Sequence, residues 1–80
     1  MKTLTVKIQN YSDLNNLSIN DVCCSIDNDG MRHSNQYLQP NGRLYSYKDY
    51  VNYLVKRFKY EQVLLLQNNI SEIIWTKKIN

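Results

Sequence analysis

Between Thr3 and Gln9 the chain alternates polar and apolar residues, placing Leu4, Val6 and Ile8 on one side. A period of two predicts a strand with one face turned to a core. The following stretch, residues 10–20, is rich in Asn and Ser, with Tyr11, Leu14 and Leu17 at the spacing of a helical turn. It predicts a loop with a short turn in it. Residues 21–26 predict a second strand in which Val22, Cys24 and Ile26 share a face. Asp27-Asn28-Asp29-Gly30 then supplies the residue types that tolerate a tight reversal, and a third strand is expected from Met31 to about Leu38. Gln39-Pro40-Asn41-Gly42 suits a type I turn followed by a glycine bulge, with a brief extended piece, residues 43–45, after it.

The period changes at Tyr47. At 100° per residue, Tyr47, Tyr50, Val51, Leu54, Val55 and Phe58 fall in one apolar arc, the signature of an amphipathic helix. Ser46 is placed to cap it, with Asp49 three residues on near the positive end of the helix dipole. The expected end is near Tyr60 or Glu61. Beyond it, Val63 to Gln67 reads as a buried strand, Asn68-Asn69 as a two-residue turn, and Ile70 to Ile79 as a closing strand with Ile73, Trp75 and Ile79 on one face. The order β-β-β-(short β)-α-β-β predicts a single α+β domain over residues 1–80: a small antiparallel sheet of about five strands with one helix across a face.

Composition narrows the class. Eighty residues suffice for one small domain, and at 42% hydrophobic and 21% charged the chain is globular by composition. The longest apolar run, Val63-Leu64-Leu65-Leu66, is far short of the ~20 residues a membrane span needs, and the first ten residues lack the apolar stretch of a signal peptide. Cys23 and Cys24 are adjacent, so their side chains leave a strand on opposite faces and a bridge between them would strain the intervening peptide. Two reduced thiols in so small a chain point to the cytoplasm. Asn10-Tyr11-Ser12, Asn16-Leu17-Ser18 and Asn69-Ile70-Ser71 match the glycosylation pattern, which has no bearing without a secretory route.

Three constellations come up for chemistry. Ser25 to Gly30 looks like the start of a calcium loop, but Ser25 and Gln36 stand where the first carboxylate and the closing bidentate one belong. It reads as a hairpin turn. Symmetrical closure of that hairpin places Cys24 opposite His33, the minimal nucleophile–base pair. Against a thiol enzyme stand the apolar company of Cys24 and the lack of an oxyanion loop or of a group to orient the histidine. Three dispersed ligands make no tetrahedral zinc site, and two glycines offer no cradle for a nucleotide. No cofactor, no metal and no enzymatic activity are expected. The third constellation is the outer helix face, where Tyr53 and Tyr60 stand seven residues apart with Lys56, Arg57 and Lys59 about them. Tyrosine and arginine bury much area while keeping a polar tip, which makes this stripe the candidate partner-binding site. The alternative is a solvated face on which tyrosines rest on lysine stems.

Charge separates the two halves. Residues 1–42 carry 3 basic and 4 acidic groups, and residues 43–80 carry 7 and 3, for a net +3 overall. Dispersed cations at that net charge make nucleic acid the second choice of partner, behind protein. The chain has no alanine, 11 asparagines and 7 tyrosines among its 9 aromatics. In this whole-chain character it is similar to the accessory proteins encoded by phages and other mobile elements of low-GC bacteria, among them the anti-CRISPR inhibitors. That resemblance implies a non-enzymatic protein that blocks a host defence complex, protein or ribonucleoprotein, by occlusion. The open edges of a small sheet add the expectation of a homodimer.

Overall fold

A computed structural model describes residues 1–9, 16–34, 41–43 and 46–78. Five strands form one sheet: β1 (Thr3–Ile8), β2 (Val22–Asp27), β3 (Arg32–His33), β4 (Gln62–Gln67) and β5 (Ile70–Thr76), in the order β3-β2-β1-β4-β5. One helix, α1 (Tyr47–Phe58), packs over one face, and a 3-10 turn spans Ile19–Asp21. The α+β class follows the hydrophobic pattern. The sheet itself is mixed, because β1 pairs antiparallel with β2 and parallel with β4. The helical crossover returns the chain beside β1 in β1's own direction, a connection that parallel neighbours require.

The core lies between the helix and one sheet face. Leu4, Val6 and Ile8 of β1 are buried, as their alternation demands, with Val63 and Leu65 beside them on β4. Tyr50, Val51 and Leu54 descend onto them from α1, and Leu17 and Ile19 close the side. Each such side chain contributes about 1.5–3 kcal/mol on leaving water. Residues 10–15, with Tyr11 and Leu14, lie outside the described residues. The 3-10 turn after them is tied by Asp21, whose Oδ2 accepts from the Ser18 N–H and hydroxyl, both at 2.9 Å.

Strand β2 buries a different set of residues from the one its alternation predicts. The pairing skips one residue, so Ile8 faces Val22 while Lys7 faces Cys24, leaving Cys23 as the extra residue of a bulge. A bulge inverts the parity of everything beyond it. The core therefore receives Val22, Ser25 and Asp27, and Cys24 and Ile26 lie half-buried on the open face. Cys23 is exposed and its thiol donates to the Lys7 carbonyl at 3.2 Å.

The hairpin after β2 is also one residue longer than symmetrical closure predicts. Asp27 N–H bonds the Met31 carbonyl at 2.9 Å and Gly30 N–H bonds the Asp27 carbonyl at 3.0 Å, with Gly30 at φ +88°. This is a three-residue loop ending on a left-handed glycine. Its register sets Ser25, and not Cys24, opposite His33. Of the expected third strand only Arg32 and His33 are in β3: Met31 and Ser34 are not in a strand, and residues 35–40, which include its remainder and the start of the proline turn, lie outside the described residues. The turn's last two residues are described: Gly42 has φ +83°, and Asn41 Oδ1 accepts from Arg43 N–H at 3.0 Å. Arg43 is not in a strand, and residues 44–45 lie outside the described residues.

Ser46 caps α1, its hydroxyl accepting from Asp49 N–H at 3.3 Å. The helix stops at Phe58, earlier than expected, because Lys59 takes the left-handed conformation at φ 59°. Asn68 and Asn69, at φ 52° and 65°, form the mirror-image turn that suits a two-residue hairpin. In β5 the register again skips: Val63 faces Trp75 but Leu64 faces Ile73, with Ile74 as the extra residue. Ile73 and Trp75 thus lie on opposite faces, contrary to the expected pattern. The strand ends at Thr76, and Ile79 lies outside the described residues.

Candidate functional site

The helix stripe read from the sequence does not survive intact. Lys56, Arg57 and Lys59 are exposed, and the Arg57 guanidinium sits 5.6 Å from the Phe58 ring centre. Tyr53 is half-buried against the core. Tyr60 is enclosed, with 2% of its surface exposed. The left-handed turn at Lys59 breaks the 100° progression and swings Tyr60 beneath the helix end. A docking face built on both tyrosines is therefore excluded, and only the three cations remain on the outside.

Tyr60 instead centres a buried polar chain. Its hydroxyl lies 2.6 Å from His33 Nε2 and donates to Asp27 Oδ2 at 3.1 Å. Asp27 Oδ1 accepts from the N–H groups of Asp29, at 2.9 Å, and Met31, at 2.8 Å. Burial alone would raise the Asp27 carboxyl, but those backbone bonds, the Tyr60 hydroxyl and the nearby Lys2 charge outweigh it and hold it below its ordinary 3.8. With the Tyr60 proton given to the carboxylate, its oxygen accepts from His33, which fixes a proton on Nε2. His33 is lowered from its ordinary 6.5, chiefly because burial penalises the imidazolium; Asp27 works against that shift and Lys2 with it. Lys2 spans the outside, Nζ donating to the Phe58 carbonyl at 2.6 Å and lying 5.0 Å from the Tyr60 ring centre. A second buried pair, Tyr50 Oη to Ser25 Oγ at 3.1 Å, ties the helix to the bulged strand.

The geometry of this cluster is that of an enclosed structural link. His33 is 7% and Asp27 6% exposed, and the histidine Nε2 is committed to the Tyr60 hydroxyl. Cys24 lies on the other face of β2 and is not opposite the histidine. Among the described residues, no group of three or more His, Cys, Asp or Glu could hold a metal ion. Nor is any helix there long and apolar enough to cross a membrane. The chain Asp27–Tyr60–His33 instead fastens the β2–β3 hairpin to the end of α1.

The exposed apolar surface lies at the opposite side of the sheet. Strand β5 is an edge, and all seven of its residues are exposed. They include Ile70 at 71%, Ile73 at 58%, and Ile74 and Trp75 at 37% each. Between β5 and α1 runs an open groove of about 310 Å³, walled by Tyr47, Val51 and Val55 from the helix and by Ile74 and Trp75 from the strand. Leu65 forms its floor and Lys48 and Asn52 its rim. Burial raises the Tyr47 hydroxyl above its ordinary 10.0, so it stays neutral along this wall. The sequence held a signal for this surface, the apolar run Ile73-Ile74-Trp75 within a short strand. Strict alternation distributes that run over two faces and hides it. The Ile74 bulge gathers two of the three side chains at the groove.

Comparison with protein-family models, with curated proteins and with solved structures gives no match for this chain.

Proposed function

We infer that the protein is a non-enzymatic protein-binding module whose docking surface is the β5 edge and the groove beside it. The observation that carries this reading is the exposure of four large apolar side chains on one edge strand of a chain with a small core. Edge strands usually carry charges, prolines or covering segments against adventitious pairing. Apolar surface left exposed on both faces of one edge strand, with Ile74 and Trp75 at the groove and Ile73 on the other face, marks a site of protein contact. The resemblance to phage and mobile-element accessory proteins fits it, the expected mode being occlusion of a surface on a larger host complex. Nucleic acid is disfavoured here, since apart from Lys48 the groove's lining is uncharged, and cations on phosphates dominate such binding.

The test is capture of partners from the host cell with the wild-type chain and with Ile73→Glu. Ile73 is exposed, so the variant should keep its thermal stability within about 0.5 kcal/mol. Specific partners held by the wild type and lost by the variant support the reading. Equal capture by both, or turnover of a substrate by the purified chain, overturns it.

A further inference from the structure

We propose that the β5 edge pairs antiparallel with the β5 edge of a second copy of this chain, across a two-fold axis perpendicular to the sheet. The proposal rests on the docking surface just described and commits it to a second copy of the chain, which the backbone register and charges favour over a host surface as the occupant of this edge.

Backbone geometry comes first. In an antiparallel pair, facing residues alternate between exchanging both hydrogen bonds and exchanging none. Lys77 N–H bonds the Glu61 carbonyl at 2.8 Å, so the next pair, Gln62 with Thr76, leaves the Thr76 N–H and C=O pointing away from β4. Counted from the other end, the Gln67–Ile70 pair closes the two-residue turn and is bonded, which leaves Ser71 and then Ile73 pointing outward. Ile73 and Thr76 therefore offer their peptide groups to a new strand. Setting Ile73 of each copy against Thr76 of the other lets both pairs exchange their bonds.

An odd register of this kind is normally forbidden to a two-fold pair, because it opposes residues from different faces. The bulge at Ile74 removes the conflict. Glu72 shares the helix side with Leu65, Ile74 and Trp75 both line the groove on that side, and Lys77 returns to it after Thr76. In the proposed register every facing pair lies on one face. At the axis, Ile74 of one copy meets Trp75 of the other, twice, joining the two groove mouths in one apolar cluster. Glu72 of each copy faces Lys77 of its partner, so two ion pairs of opposite sign flank the cluster. The resulting sheet is continuous over ten strands, with both helices on the same side. Charge, apolar pattern and backbone direction agree on this one register.

The experiment is sedimentation of the full chain over a concentration series, with Glu72→Lys, the double variant Glu72→Lys/Lys77→Glu, and Ile73→Glu. The wild type should dimerise reversibly. Glu72→Lys should weaken the dimer at least about tenfold, since it brings like charges together twice, and the double variant should recover most of that loss. Ile73→Glu should be monomeric, and circular dichroism should show each variant folded. A wild type monomeric at every soluble concentration overturns the proposal. So does a dimer indifferent to Glu72→Lys, or a double variant no better than the single one. A monomer that still captures a host partner, and loses it in Ile73→Glu, removes the second copy while leaving the protein-binding reading standing.

Discussion

Tyr60 is the residue on which the interior turns. Its hydroxyl bridges a buried carboxylate and a buried imidazole, 33 and 27 residues away in sequence. Tyr60→Phe keeps the ring but takes this partner from Asp27 Oδ2 and His33 Nε2, so urea unfolding should show a loss of about 1–3 kcal/mol. The two titrating partners also fix the direction of pH dependence. His33 is lowered in the folded state, so the unfolded chain takes up the proton first as pH falls. Stability is then present above the ordinary 6.5 and drains away between that value and the lower folded one. Asp27, also lowered, adds a second loss below its ordinary 3.8, as pH falls through the folded value. Denaturant midpoints measured from pH 7 to pH 5 should fall, and His33→Gln should flatten that fall. None of this was legible in the sequence. A helical wheel drawn past Phe58 sets Tyr60 outside, and nothing in the residue types announces that Lys59 will turn left-handed.

At the scale of elements, the legible parts are those whose pattern is local. β1, the Ser46 cap, the body of α1 and the Asn68-Asn69 turn all follow from residues within a few positions of one another. The bulges at Cys23 and Ile74 do not, because a bulge exists only relative to a partner strand. Each inverts the faces beyond it, which is why the expected Cys24–His33 pair and the expected Ile73–Trp75 face both dissolve. The left-handed residues offer a quantitative check. Lys59 holds φ 59° at the helix end, a conformation a side chain resists and glycine does not. Lys59→Gly should therefore raise stability by about 0.5–1 kcal/mol in urea or thermal unfolding. The gain depends on the turn and not on the lysine's charge, so Lys59→Gln should not reproduce it.

For the whole molecule, the decisive fact is that the first strand occupies the centre of the sheet. β1 is flanked by β2 on one side and by β4 on the other, the latter pairing residues 59 apart, such as Thr3 with Gln62. Hydrophobic alternation assigns β1 one buried face but says nothing of which strands will flank it. The mixed, centred arrangement was therefore hidden while the α+β class was plain. It also gives residues 2–8 a firm hold on the fold. Leu4, Val6 and Ile8 belong to the core, Thr3 and Lys2 bond across to Asn28 and Glu61, and Lys2 reaches the helix end. A chain lacking residues 1–8 loses three core side chains and leaves β2 and β4 with facing, unpaired edges. Its helix could not bury Leu54 and Tyr50 against a sheet with a missing centre. Circular dichroism on heating should show no cooperative transition, and a synthetic peptide of residues 1–9 added in excess should restore one, because the vacant slot offers hydrogen bonds on both sides. A cooperative transition in the shortened chain without the peptide would mean that β2 and β4 can close directly on each other.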